Sequence, residues 1–298
     1  MNKKVALVLS GGGARGIAHI GAIEELEQQG FQIHSIAGTS MGAVVGGVYA
    51  AGKMKEYKEW MCTLDRQKVL NLIDFTLSTQ GLIKGDKVFA RMKEFIPDTN
   101  IEDFPIDFAA VAADIIHHKE VIFRTGSMYD AIRASVAIPS VITPVKTNGT
   151  VLVDGGIINN IPINHVKRIE GDILVVVYVN AEIPVEKPVV TAQEEKQKQN
   201  AYLQKIKEFE QHLFKVEPKQ KTEKLGFFNL IDHTISTMTY QMGRMMLEQH
   251  SPDILIEISR DTCSTFDFYK AEELVETGRN AARKSIARFL IKINEVSI

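Results

Sequence analysis

Within its first forty or so residues this chain twice runs an apolar segment straight into a glycine-bearing turn. The first segment passes from Lys4 through Val5, Ala6, Leu7, Val8 and Leu9 to Ser10 with no alternation of polar side chains. A strand of that kind is buried on both faces, as happens when helices cover both sides of a parallel sheet. Gly11-Gly12-Gly13 ends it. Ile17, Ile20, Ile23 and Leu26 then recur at the spacing of one helix face, and Gly30 is placed to stop that helix. Residues 33–37 resume as a strand, Gly38-Thr39-Ser40-Met41-Gly42 breaks it, and a helix of small residues follows to about Gly52. Strand, helix, strand, helix in this order predicts an α/β fold with a mostly parallel sheet and helices on its faces.

The rest of the chain is less regular. Residues 56–74 are expected to be helical with Trp60 inward, and residues 80–85 to form a turn. Asp86 is placed to cap a helix that reaches Ile96. Residues 107–113 and 120–123 read as strands around a polar turn at His117-His118. Residues 128–137 read as a helix closed by Pro139. Residues 151–153 form a short strand into Asp154-Gly155-Gly156, and residues 173–179 a strongly apolar one. Residues 182–224 are dense in Glu, Lys and Gln, with Tyr202, Ile206, Phe209, Leu213 and Phe214 at helical spacing. Acids and bases are mixed there, which predicts a solvated helical insertion. Residues 253–259 are expected as a strand and 272–293 as a terminal helix, so residues 1–298 read as one domain carrying that insertion.

Thirty-five basic and 37 acidic side chains leave a formal charge of -2, with no electrostatic footprint for nucleic acid. Cys62 and Cys263 stand far apart without metal-ligand spacing, as expected of a reduced, cytoplasmic protein. No stretch approaches the ~20 apolar residues of a spanning helix.

Three motifs carry chemistry. Gly11-Gly12-Gly13-Ala14-Arg15-Gly16 has the glycine spacing of a dinucleotide-binding turn, but the second strand ends in Ala37-Gly38-Thr39-Ser40, without the acid that would hold a ribose. It also lacks the Lys-Ser or Lys-Thr pair of a phosphate-binding loop. What remains is a set of unshielded backbone N–H groups at a helix mouth, suited to negative charge. In acyl transfer that charge is the oxyanion of a tetrahedral intermediate, and Arg15 adds charge or fixes the loop. A tight turn alone is the competing reading. Gly38-Thr39-Ser40-Met41-Gly42 is a G-x-S-x-G elbow in a strand-to-helix setting, where a strained backbone exposes the Ser40 hydroxyl and Gly38 and Gly42 make room for neighbours. A capping serine in a glycine turn is its alternative. Asp154-Gly155-Gly156 puts an acid at a strand end beside two glycines; alone it would be an ordinary turn.

Taken in order, these motifs resemble the patatin-like phospholipase family, as does Ala134-Ser135-Val136-Ala137-Ile138-Pro139 ahead of Asp154. The resemblance runs over residues 4–179 and, more weakly, 253–282. It implies a three-layer α/β/α fold and a Ser40–Asp154 dyad acting on phospholipid or lysophospholipid, with no cofactor and no metal; the same acyl chemistry leaves a short-chain ester open. Peripheral contact with a membrane is a further expectation. An ordinary Ser-Asp-His hydrolase would need a histidine after Asp154, and His165, His212, His233 and His250 occupy no recognisable loop for that role. Thioester cleavage, or a weakly active regulatory or lipid-binding module on the same fold, are the alternatives.

Overall fold

The computed structural model describes residues 3–76, 81–147, 149–185 and 227–296. The first apolar segment forms β1 (Lys4–Leu9), and a 3-10 turn, Gly13–Ile17, leads into α1 (Ala18–Gln28). β2 (Gln32–Thr39) and α2 (Met41–Ala50) repeat the unit. The chain continues through α3 (Met54–Cys62), α4 (Arg66–Leu72), β3 (Gly81–Ile83), α5 (Asp86–Lys93), β4 (Asp107–Asp114), β5 (Lys119–Phe123) and α6 (Met128–Ser135). Then come β6 (Ser140–Ile142), β7 (Val145–Thr147), β8 (Thr150–Asp154), β9 (Ile173–Ala181), α7 (Phe227–Gln249), β10 (Ile254–Ser259) and α8 (Ala271–Val296).

β10, β9, β1, β2 and β4 lie side by side and all run parallel. The apolar segments are continuous because each faces two cores. Val5, Leu7 and Leu9 of β1 enter a large core with α1, α2 and α8. Ala6 and Val8 point the other way, onto Ile161, Ile163 and Val166 and onto Met246 and Leu247 of α7. β9 alternates likewise, Val175 and Val177 to one side and Val176 and Tyr178 to the other. The fold is therefore the expected three-layer α/β/α arrangement with a mostly parallel sheet.

One edge of β4 is shared. Ala110 and Val111 pair with Gly38 and Thr39 of β2 while also pairing with β5, so β2 and β5 hold opposite edges. Ala112, Ala113 and Asp114 pair with β5 and also with β8. β8 therefore takes over the edge that β2 leaves, and it runs antiparallel, back toward the end of β2.

Elsewhere the sequence expectation needs correction. Residues 56–74 form two helices, because the Asp65 carboxylate accepts the Lys68 N–H at 2.8 Å and starts α4 afresh. Residues 80–85 are not simply a turn, since Gly81–Ile83 pairs in parallel with β6. Asp86 opens α5 without capping it; Asp74 accepts the Gly85 N–H at 2.6 Å. α6 stops at Ser135, short of the expected end. α7 was not foreseen. The insertion expected over 182–224 falls outside the described residues from 186 onward. No helix of the described residues is long and apolar enough to cross a membrane.

α8 closes on α1 with almost no gap. A Cβ on Gly278 would strike the Ala18 carbonyl oxygen, and one on Gly21 the Val275 carbonyl oxygen. Beside this contact Glu25 and Arg283 pair at 3.0 Å and Glu24 and Arg279 at 2.6 Å. Gly278→Ala should therefore destabilise the fold by about 1–3 kcal/mol, through overpacking, although alanine favours a helix by about 1 kcal/mol. Urea midpoints measure this, with Asn280→Ala on the exposed side of α8 as the control; a Gly278→Ala midpoint at or above wild type would refute the close contact.

Candidate active site

Ser40 stands between β2 and α2 with φ 54° and ψ -124°. A non-glycine residue held there costs on the order of 1–3 kcal/mol, so its surroundings must enforce it. The Ser40 N–H donates to Ser135 Oγ at 2.8 Å, and Ser135 Oγ donates to the Val111 carbonyl at 2.6 Å. The Ser40 carbonyl accepts the N–H groups of Ala43 and Val44 at 2.9 and 3.1 Å. Thr39 Oγ1 donates to the Asn159 carbonyl at 2.8 Å. Gly42 lies against the Leu9 and Ser10 carbonyls and Gly38 against the backbone of Gly42, where no Cβ would fit. Ser40 is buried to 5% exposure.

Asp154 reaches Ser40 through the shared edge of β4. Thr39 pairs with Val111, and Asp154 pairs with the next residue, Ala112. β2 and β8 thus meet end to end with the serine and the aspartate at the junction. The Asp154 N–H donates to the Ala137 carbonyl at 2.9 Å, and Asp154 Oδ1 accepts the Gly156 N–H at 2.8 Å. Gly155 packs against the Val111 carbonyl. Burial pushes the Asp154 carboxyl up to about 6, while hydrogen bonds from the Ser40 hydroxyl and the Gly156 amide pull the other way. The group is thus mostly ionised at neutral pH, yet more basic than an ordinary carboxylate.

The glycine loop is held at both ends. Gly11 N–H donates to the Asn160 carbonyl at 3.2 Å and Ala14 N–H to the Thr265 carbonyl at 2.8 Å. The amides of Gly12 and Gly13, between them, have no acceptor among the described residues. The Arg15 guanidinium gives Nε and Nη2 to Asn180 Oδ1, at 3.1 and 2.9 Å, and Nη1 to the Cys263 carbonyl at 3.1 Å. Asn180 Nδ2 in turn donates to the Gly11 carbonyl at 2.6 Å. Arg15 is therefore a brace for the loop. Gly16 packs on Met41, the residue after Ser40, which sets the loop beside the elbow.

Sequence reasoning missed Ser135, Asn160 and Thr239. Ser135 lay within a quoted motif, but nothing in its type announced a link to Ser40. Thr239 of α7 donates to the Gly156 carbonyl at 3.1 Å and ties that helix to the aspartate loop. The histidines fall elsewhere. His165 bonds Glu120 and Asn164, His233 and His250 are exposed, and His212 lies outside the described residues. His19 is buried beneath the glycine loop with Nε2 2.8 Å from the Ser10 carbonyl, and burial pushes it down to about 4, so it stays neutral. A hydroxyl, a basic carboxylate and unpaired amides in one place can perform acyl transfer.

Comparison with known proteins agrees with this chemistry. A family model described as patatin-like phospholipase matches residues 7–167. An NTE family protein of Mycobacterium bovis, described as uncharacterized, is 31% identical over 345 residues, taking in 98% of this chain and 94% of that one. Lysophospholipase NTE1 of Cryptococcus neoformans is 36% identical over 174 residues, 56% of this chain and 10% of that one. Among solved structures, VipD of Legionella pneumophila aligns with a TM-score of 0.47 at 14% identity, covering 97% of this chain and 67% of that one. With a family model over more than half its length and a relative alike over nearly all of it, the chain belongs to the patatin-like phospholipase family, a family of lipid hydrolases.

Proposed function

We propose that this chain cleaves the carboxylic ester of a phospholipid or lysophospholipid through Ser40 and Asp154, with no catalytic histidine. The observation that carries the reading is the junction of β2 and β8 on β4, which sets Ser40 beside a buried carboxylate made more basic by that burial. The lysophospholipid class is supported by the Cryptococcus relative, which is named as a lysophospholipase.

The steps follow from the geometry. Ser40 Oγ bonds to the acyl carbon as its proton passes to Asp154, and the carbonyl oxygen takes the negative charge. The amides of Gly12 and Gly13 receive that oxyanion. The intermediate collapses, the bond to the leaving alcohol breaks, and Asp154 returns the proton to the alcohol oxygen. Water then attacks the acyl-Ser40 ester and gives its proton to Asp154. The fatty acid leaves as Ser40 Oγ regains a proton. One carboxylate serves both halves because its proton affinity lies close to neutrality.

A fluorophosphonate should label Ser40, and Ser40→Ala should lose both labelling and ester turnover while melting near wild type. Labelling at another serine, or turnover retained by Ser40→Ala, would discard the nucleophile assignment.

The carboxylate form must accept the proton, so kcat/KM should rise about tenfold per pH unit below about 6 and level off above it. His165→Ala, His233→Ala and His250→Ala should keep most activity, whereas Asp154→Asn should be dead. A histidine variant as inactive as Asp154→Asn would make the site a triad.

Stability should move the other way. The folded carboxyl titrates above its ordinary value of 3.8, so its stabilising contribution is full below about 3.8 and is lost as pH rises through about 6. At pH 7 the buried charge costs roughly 3 kcal/mol. Asp154→Asn should therefore melt above wild type at pH 7, with the difference shrinking toward pH 4. An Asp154→Asn protein less stable than wild type at pH 7 would contradict this account.

A further inference from the structure

Asn160 fills the space between the two glycine motifs, and its amide nitrogen has nothing to bond. The residue is 3% exposed, and its backbone carbonyl holds Gly11 N–H. Its side-chain Nδ2 is buried without a hydrogen-bond partner among the described residues. Its Oδ1 lies 2.5 Å from where a Cβ on Gly11 would stand, and that point is 3.1 Å from Ser40 Cβ. A Cβ on Gly156 would stand 3.2 Å from the same Oδ1 and 3.0 Å from Asp154 Oδ1. The carboxamide is therefore wedged beside both Ser40 and Asp154, and the missing side chains of Gly11 and Gly156 give it room.

Packing alone does not explain an amide here. A buried donor without an acceptor costs about 1–3 kcal/mol, and native proteins rarely keep one. A leucine would occupy similar space without that cost. An acceptor arriving from outside the chain would satisfy it, and what arrives next to Ser40 is the ester. Resting on the Ser40–Asp154 reading, we propose that Asn160 is a further catalytic residue. Its side-chain N–H donates to the carbonyl oxygen of the scissile ester, beside the amides of Gly12 and Gly13. The bond strengthens as that oxygen gains negative charge, so it acts on the transition state more than on the bound substrate.

Asn160→Leu and Asn160→Ala test this through three measurements: kcat and KM on a soluble activated ester, the rate of fluorophosphonate labelling at Ser40, and melting temperature. The expected result is a ~10²–10³ loss in kcat with a much smaller change in KM. Labelling should slow in parallel, since the phosphonyl oxygen takes the same place. Asn160→Leu should melt at or above wild type, because it removes an unpaired amide; if leucine is too bulky to fold, Asn160→Ala provides the kinetic readouts. Either variant folded, labelled and turning over within about threefold of wild type overturns the proposal, as does a fall in melting temperature with kcat intact. A wild-type protein that is not labelled at Ser40 overturns the underlying reading, whatever the Asn160 variants do.

Discussion

Where β2 turns away from β4 and β8 begins, the Val111 carbonyl and the Ser40 N–H face a gap in the ladder. A buried backbone group without a partner is costly, so a junction of two strands on one edge needs something to fill it. Ser135 does so with a single hydroxyl, which donates to Val111 and accepts from Ser40. The positive φ of Ser40, the position of Asp154 opposite Ala112 and the closeness of Gly155 to Val111 all depend on this seam. The site is thus not grafted onto loops above a finished sheet. It is the place where the sheet changes strand.

The seam also concentrates opposing electrostatic costs. Asp154 favours the folded state when protonated, as it is in acid. His19 behaves in reverse: its folded value lies below the ordinary 6.5, so its contribution is full above about 6.5 and is lost as pH falls toward about 4. Between these limits the two slopes oppose each other. The region around Ser40 therefore carries buried titratable groups with little net effect on stability across mildly acid pH, although each alone would tilt it.

The parts legible in the sequence were those set by uninterrupted apolar runs. β1 and β9 are continuous hydrophobic segments because both faces are covered, and no long-range knowledge is needed to see that. The break between α3 and α4 was hidden because one capping bond from Asp65 outweighed an otherwise helical composition. β3 and β6 are three residues each and are held by pairing with one another and, for β3, with the segment at Phe75. Ser40 and Asp154 could be named from local motifs, but which glycine amides remain unpaired could not. That depends on Asn160 and Thr265, which reach the loop from distant parts of the chain. α7 carries no clear signal in the sequence because its apolar and polar residues are interleaved, and among the described residues Met246 and Leu247 join a core.

The bracing of the glycine loop has a consequence for how such a chain is made. Ala14 is held by Thr265, and Arg15 by Asn180 and Cys263, so the loop near the start is fixed by residues synthesised late. A nascent chain emerging from a ribosome already carries Ser40, but the glycine loop cannot take its braced form until β9 and the segment after β10 have followed. Domains fold as units during synthesis only when their contacts are available. The braced form of the loop is thereby withheld from incomplete chains, and a product truncated before Thr265 would lack it.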